Sequence, residues 1–281
     1  MADRLRLKGS TDAGNAASYS PALAPSGWSA GDTLTCAEGA NTNFSVGMTA
    51  MAAIGGGGLA SLTITTACAD NFGAQADPLS VDVSGTLENN GAGDHGYFAA
   101  GSGGTIDTII FNPANPNYRM YLQSAANNTL RIMAGTFTVG GSVTLGDIEV
   151  VGPATLVVPE HASDTIGNIR VAAGGRARVR RRIAGGANID AGGELEYDVD
   201  TATASANINM NGGLLRHKKG SVVISGYSGT YDWSQLEKTG VGGSGYTLTI
   251  TEYEGLTEKT GPIRPGGTVT RTVRGKGSRK I

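Results

Sequence analysis

Between residues 129 and 233 the chain repeats one hydrophobic-polar phrase: an apolar run, a glycine turn, then an apolar residue at every second position. It reads Leu130-Arg131-Ile132-Met133-Ala134-Gly135-Thr136-Phe137-Thr138-Val139 and recurs around Gly152, Gly175, Gly193, Gly213 and Gly229, whose numbers differ in turn by 17, 23, 18, 20 and 16. Alternation at a period of two marks a strand with one buried face. A short turn-bounded repeat of this kind marks one coil of a β-solenoid. Coils in parallel stack equivalent positions about 4.8 Å apart, with side chains alternately in and out, so aligning the glycines tests the repeat. Two positions after each glycine come Phe137, Ala154, Ala177, Leu195, Leu215 and Tyr231; four after come Val139, Leu156, Val179, Tyr197, His217 and Trp233. Eleven of the twelve are apolar or aromatic, as two inward core columns require.

The outward positions supply an independent test, because opposite charges on neighbouring strands favour a register and like charges oppose it. The same alignment sets Arg176, Arg178, Arg180 and Arg182 against Glu194, Glu196, Asp198 and Asp200. On the next coil Arg216 follows Glu196 and Lys218 follows Asp198. This stacking ladder of basic, acidic and basic rows specifies how the coils stack more than it stabilises them, since an exposed pair is worth about 0.2–1 kcal/mol.

Elsewhere the grammar is looser. Residues 1–27 are small and polar with Pro21 and Pro25, and read as an extended N-terminal arm. Trp28-Ser29-Ala30-Gly31-Asp32-Thr33-Leu34-Thr35 reads as the start of order, the indole capping the open end of the core. Leu62–Thr65, Leu79–Val83 with Gly85–Leu87, Ile106–Phe111 and Tyr118–Leu122 read as strands between turn residues, while Met48–Ile54 fits a short helix or a strand. Gly91–Gly96 and Asn112–Asn117 read as loops. Residues 234–281 leave the coil pattern, with a strand at Tyr246–Thr251 and a basic tail from Arg271. The expected architecture is all-β: a parallel β-solenoid over 28–233, preceded by the arm and followed by C-terminal strands and tail.

Composition agrees. The 281 residues include 45 glycines and only 16% charged residues, which suits many short strands and turns and argues against an α/β enzyme. The net charge of −2 divides unevenly: residues 1–160 hold 5 Lys+Arg and 13 Asp+Glu, or −8, and residues 161–281 hold 17 and 11, or +6. That asymmetry points to a charged partner or to copies of the same chain rather than to nucleic acid, whose binders are basic throughout and interleave aromatics. Cys36 and Cys68 are too few for a disulfide framework and read as buried thiols. The basic start at Arg4, Arg6 and Lys8 is not followed by the apolar core of a signal peptide, and no stretch is long enough to span a bilayer, so no secretory route and no membrane partner are expected. The sequons at Asn43 and Asn127 then carry no meaning.

For chemistry, the acidic cluster Glu194, Glu196, Asp198 and Asp200 is the place to look, since this scaffold suits two-carboxylate hydrolysis. Its register against arginines explains it as part of the ladder, and a cation beside a carboxylate favours the charged form where a general acid needs the neutral one. His95, His161 and His217 have no metal-ligand spacing; His217 falls in an inward column as a core histidine, and Asp94-His95 on its loop is read as turn chemistry. Gly55–Gly58 lacks the lysine of a phosphate loop, and the calcium nonapeptide of β-rolls is absent. No cofactor and no metal are expected.

The Trp28–Thr33 phrase, the degenerate glycine-centred coils from Gly135 to Gly229, the missing signal peptide and the basic tail together resemble β-helical accessory structural proteins of tailed bacteriophages, above all capsid decoration or cement proteins. The resemblance covers about residues 28–233. It implies a virion protein without enzymatic activity, assembled in the host cytoplasm, bound to the major capsid protein on the capsid exterior, and forming homotrimers. The arm and the first coils, with Arg4, Arg6, Lys8 and Trp28, would then be the capsid contact. Two other readings stay open: a tail spike or fibre that binds or cleaves host surface polysaccharide, which needs a carboxylate pair left over from the ladder, and a fragment of a secreted β-helical adhesin.

Overall fold

The computed structural model describes residues 2–6, 15–23, 27, 32–36, 59–64, 79–80, 83–89, 95–99, 105–113, 117, 119–123, 126–140, 144–160, 165–199, 206–232, 247–252, 256–259 and 268–273. The chain is almost wholly β, a solenoid of stacked parallel coils, and it divides into two compact units, Met1–Gly146 and Asp147–Ile281.

In the first unit each coil contributes strands to one of two parallel ladders. One runs through β1 (Asp3–Arg6), β3 (Thr33–Cys36), β4 (Leu59–Ile64), β6 (Val83–Asn89), β8 (Thr105–Phe111) and β10 (Ala126–Ile132). The other runs through β5 (Leu79–Ser80), β7 (His95–Ala99), β9 (Arg119–Gln123) and β11 (Thr136–Val139). The register stacks Leu34, Leu62, Leu87, Ile109 and Leu130 in one column, of which Leu34, Ile109 and Leu130 are fully buried. Phe111 and Phe137 join the two ladders through the core, edge to face at 5.5 Å. Beside the leucine column runs one of hydroxyls: Thr33, Ser61, Thr86, Thr108 and Thr129. The coils shorten steadily along the leucine column, from Leu34 to Leu62, Leu87, Ile109 and Leu130. With no two of them equal in length, the strands carry no fixed period.

The expected arm is part of this sheet. Asp3–Arg6 is the first strand, parallel to β3, and β2 (Tyr19–Ser20) returns antiparallel to it with Tyr19 buried. The docking is held by polar groups that the composition does not flag. The Ala2 N–H donates to the buried Asp32 carboxylate at 2.6 Å, Thr33 N–H to the Ala2 carbonyl at 3.0 Å, and the Thr33 hydroxyl to Asp3 at 2.5 Å. His95 and Gly96, expected in a loop, lie in β7 opposite Arg119 and Met120. Asp94, Met48–Ile54, Gly55–Gly58 and Cys68 lie outside the described residues.

In the second unit one ladder comprises β12 (Thr144–Val150), β14 (Thr165–Val171), β16 (Arg182–Asp190), the first halves of β18 (Ala206–Lys219) and β19 (Val222–Asp232), then β20 (Thr247–Glu252) and β22 (Thr268–Val273). The other comprises β13 (Thr155–Val158), β15 (Arg176–Val179), β17 (Glu194–Asp198), the second halves of β18 and β19, and β21 (Leu256–Lys259). Leu156, Ala177, Leu195, Leu215 and Tyr231 form one buried column, and Val158, Val179, Tyr197 and His217 run beside it. The glycine alignment holds from Gly175 onward. At Gly152 it is displaced by two positions, because Leu156 rather than Ala154 stands opposite Ala177. A slip of two keeps the inward set inward, so Ala154 and Leu156 are both buried. Nor does the solenoid end at 233: β20 continues from β19, but the coil from Ile224 to Ile250 is longer than any between Gly175 and Gly229. Trp233 lies outside the described residues.

The corners between the ladders explain the paired glycines. Gly175 N–H bonds the Ala172 carbonyl and Gly193 N–H the Asp190 carbonyl, each at 2.9 Å, with φ of +78° at Gly174 and +80° at Gly192. A positive φ at the third position is the signature of a type II turn, which favours glycine there. The second glycine answers a different demand. A Cβ on Gly175 would stand 2.5 Å from the Val150 carbonyl oxygen of the coil before, and one on Gly193 would collide with the Val171 carbonyl oxygen in the same way. Backbone conformation thus selects the first glycine of each pair, and coil stacking selects the second.

Candidate functional site

The densest set of functional groups is the outer face of the second ladder in the second unit. There the register runs Arg178, Glu196, Arg216, Asp232, Lys259, alternating in sign over five coils. A neighbouring column sets Arg176 opposite Glu194. The ion pairs do not simply follow the register. Arg180 meets Asp198 on the next coil at 3.2 Å as the alignment implies, but Arg216, opposite Glu196, turns its Nε to Glu194 at 2.6 Å and its Nη1 to Asp232 at 3.5 Å. Lys218 reaches Glu196 at 2.9 Å. Arg216 thus reaches the diagonal Glu194 of the coil before as well as Asp232 opposite it on the coil after, and Lys218 reaches the diagonal Glu196, as strand geometry permits. The hydrogen bond to Glu194 is the main cause that raises the Arg216 pKa above its usual value.

Two parts of the expected ladder are corrected. Asp198 stands opposite Lys219, not Lys218, because the register shifts after Tyr197. Arg182 lies outside the strand of the other arginines: it opens β16 on the other ladder, where its partner on the coil before is Thr165. The chain turns the corner just before it at Arg181, whose side chain is buried and donates from Nε to the Pro159 carbonyl at 2.9 Å. Four arginines at alternate positions look like one strand in sequence, but the strand ends at Val179. Asp200 lies outside the described residues.

The outer face of the first ladder carries a second network that the sequence reading missed. Arg170 bridges three coils, with Nη1 at 2.9 Å from Glu149 and Nε at 2.8 Å from Asp190; the Asp190 contact is the leading cause that raises its pKa. Around it amides link coil to coil: Asn168 to Asp147 at 2.7 Å, Asn209 to Asn188 at 3.0 Å and Asn211 to Asp190 at 3.0 Å. The signal present in the sequence is their near-constant separation, 20 or 21 positions, on strands that the glycine alignment does not cover.

Beneath the charged face lies His217, fully buried between Tyr197 and Tyr231 at ring distances of 6.1 and 6.2 Å. The Gly220 carbonyl 3.0 Å from Nε2 can only accept, so the hydrogen-bond network assigns the proton to Nε2; Nδ1 then accepts from the Tyr231 hydroxyl at 3.1 Å. Burial pushes the His217 pKa down to about 4, against the backbone hydrogen bonds that oppose the shift. Burial likewise raises that of the Tyr197 phenol. These are properties of a satisfied core imidazole.

Among the candidate capsid contacts, Arg4 and Arg6 lie in β1 opposite Leu34 and Cys36; Lys8 and Trp28 lie outside the described residues. His161 does too. Among the described residues no group of three or more His, Cys, Asp or Glu is placed to hold a metal ion, and no helix is long and apolar enough to cross a membrane. The ladder carboxylates Glu194 and Glu196, two apart on one strand and so roughly 6.6 Å apart along it, each hold a cation from the following coil. Compared with known proteins, the chain matches no family model, no curated protein and no solved structure.

Proposed function

We propose that this chain is a non-enzymatic virion structural protein that binds the outside of a phage capsid, contacts the major capsid protein as a decoration or cement protein, and stabilises the shell. The observation that carries the reading is the use made of the charged groups on the outer face. The carboxylates a polysaccharide hydrolase would draw on, Glu194, Glu196 and Asp198, are engaged by Arg216, Lys218 and Arg180 of adjoining coils. Such an arrangement serves stacking. Continuous backbone ladders and an unbroken apolar column suit a part that must keep its shape outside the cell. Homotrimer formation is carried with the proposal as the oligomeric state that capsid symmetry axes favour.

Cosedimentation of the purified protein with undecorated capsid shells, followed by negative-stain imaging, tests the reading. Saturable binding at symmetry-related positions with a raised shell melting temperature is expected. A protein that ignores the shells but binds or depolymerises cell-surface polysaccharide would overturn it in favour of a tail spike.

A further inference from the structure

The acids of the charged ladder are not shared evenly between the cations on either side of them. Glu194 sends Oε1 to Arg216 on the following coil at 2.6 Å and leaves Oε2, at 3.9 Å, for Arg176 on the coil before. Glu196 is held by Lys218 at 2.9 Å, and among the described residues its register partner Arg178 enters no ion pair and no side-chain hydrogen bond. The coil before cannot make up the difference, because Thr155 stands opposite Arg176 and Val157 opposite Arg178. Exposure follows the pairing: the side chains of Arg216 and Lys218 are 40% and 27% exposed, and that of Arg176 is 70% exposed. Arg180, at the end of the same row, does have a close acid, Asp198 at 3.2 Å. Two outward guanidiniums therefore stand on one strand, about 6.6 Å apart along it, incompletely neutralised from either side.

We infer that Arg176 and Arg178 form a docking row for an extended acidic segment of a partner protein that carries carboxylates at alternate positions. The pitch selects the partner. Side chains two apart on any extended strand repeat at the same spacing of about 6.6 Å, so a segment of the pattern acid-x-acid sets one carboxylate against each guanidinium. The planar guanidinium fork can hold each carboxylate through two N–H bonds. β17 shows the match within this chain, since its Glu194 and Glu196 stand opposite Arg176 and Arg178 in register. Single-stranded nucleic acid, the other regular polyanion, is held by bases stacked on aromatic side chains among the cations, and none of the outward residues of β13, β15 and β17 is aromatic. The docking row belongs to the second unit alone and does not depend on the capsid reading; capsid shells are absent from its test, so the two can fail separately.

The full chain is titrated at low salt against a fluorescently labelled, end-capped heptapeptide that alternates threonine and glutamate, with binding read by fluorescence anisotropy and the fold of each variant by circular dichroism. Saturable binding is expected, weakened at least fivefold by Arg176→Gln/Arg178→Gln. Arg178→Gln alone breaks no ion pair among the described residues, so it leaves the coil's own contacts in place, and is expected to weaken binding at least twofold. Arg131→Gln/Arg170→Gln removes the same charge from outside the row and is expected to change the affinity less than twofold. A peptide of the same composition with its three glutamates adjacent is expected to bind at least threefold more weakly. A parent that does not bind the alternating peptide would overturn the inference, as would folded row variants that bind like the parent or a control pair that matters as much as the row. Equal binding of the adjacent-glutamate peptide, or of an oligothymidylate of the same charge, would also overturn it, by making the row a surface for any polyanion.

Discussion

The two outer faces of the second unit are built on the same coils and solve the same problem by different chemistry. On one, Arg178, Glu196, Arg216, Asp232 and Lys259 alternate in sign from coil to coil. On the other, Asn168, Asn188, Asn209 and Asn211 pass hydrogen bonds along the stack, with Arg170 as the one guanidinium among the described residues there that spans three coils. Ion pairs act over a distance, tolerate diagonal partners and are screened by salt. Amide pairs demand contact and are indifferent to salt. The charged face thus specifies which coil follows which, and the amide face holds the coils in close register once they have met.

The largest break should come at the corner the two faces share. Gly193→Ala puts a Cβ into the Val171 carbonyl oxygen, backbone against backbone, so neither side can yield cheaply. A loss of about 3 kcal/mol or more is expected, read as a fall in the denaturant midpoint, and an unchanged midpoint would refute the stacking account of the second glycine. The next largest acts on the charged face from beneath. His217 is neutral in the core with its pKa lowered to about 4 from 6.5, so between those values the unfolded chain takes up a proton that the folded chain refuses. Stability from this group is present in full above pH 6.5 and falls as pH drops toward 4, by about 3 kcal/mol in all. Chemical denaturation from pH 7.5 to 4 should show that decline, and His217→Phe should flatten the part of the slope nearest pH 6, above the carboxylate range. A variant with the parent's slope there would place the titration elsewhere.

How much of this was legible depended on coil length and on sign. From Gly175 to Gly229 the coils are short and nearly equal, and their glycines, core columns and charges all repeat together, so alignment on one feature predicts the others. Where insertions lengthen the coils, as between Leu34 and Leu62 or Ile224 and Ile250, the same strands exist but no fixed period reveals them. The first strand reads as an arm because its register positions carry Arg4 and Arg6 rather than apolar residues. Charges declare their partners by sign, which makes the ladder readable. Asparagines do not, and only the backbone path brings Asn188 and Asn209 together.

A smaller effect separates the two faces by their response to salt. Glu196→Lys would place a cation between Arg178 and Arg216 in the column and remove the partner of Lys218. A cost of about 1–2 kcal/mol is expected at low salt, shrinking by half or more in 1 M sodium chloride as screening shortens its range to about 3 Å. If the loss does not change with salt, packing rather than charge sets the register on that face.

The smallest effect is expected on the amide face, from Asn209→Ala. It removes the donor to Asn188 at an exposed site, where water can replace the lost partner, so about 0.5–1 kcal/mol is at stake. Its diagnostic value lies in the salt series. The parent and Asn209→Ala should lose or gain stability in parallel from low to high salt, in contrast to Glu196→Lys. Because sodium chloride changes the whole protein's stability, only the difference between variant and parent carries the test. A difference that varies with salt would mean that Asn209 acts through Arg170 and its carboxylates, and the two faces would then be one electrostatic system rather than two.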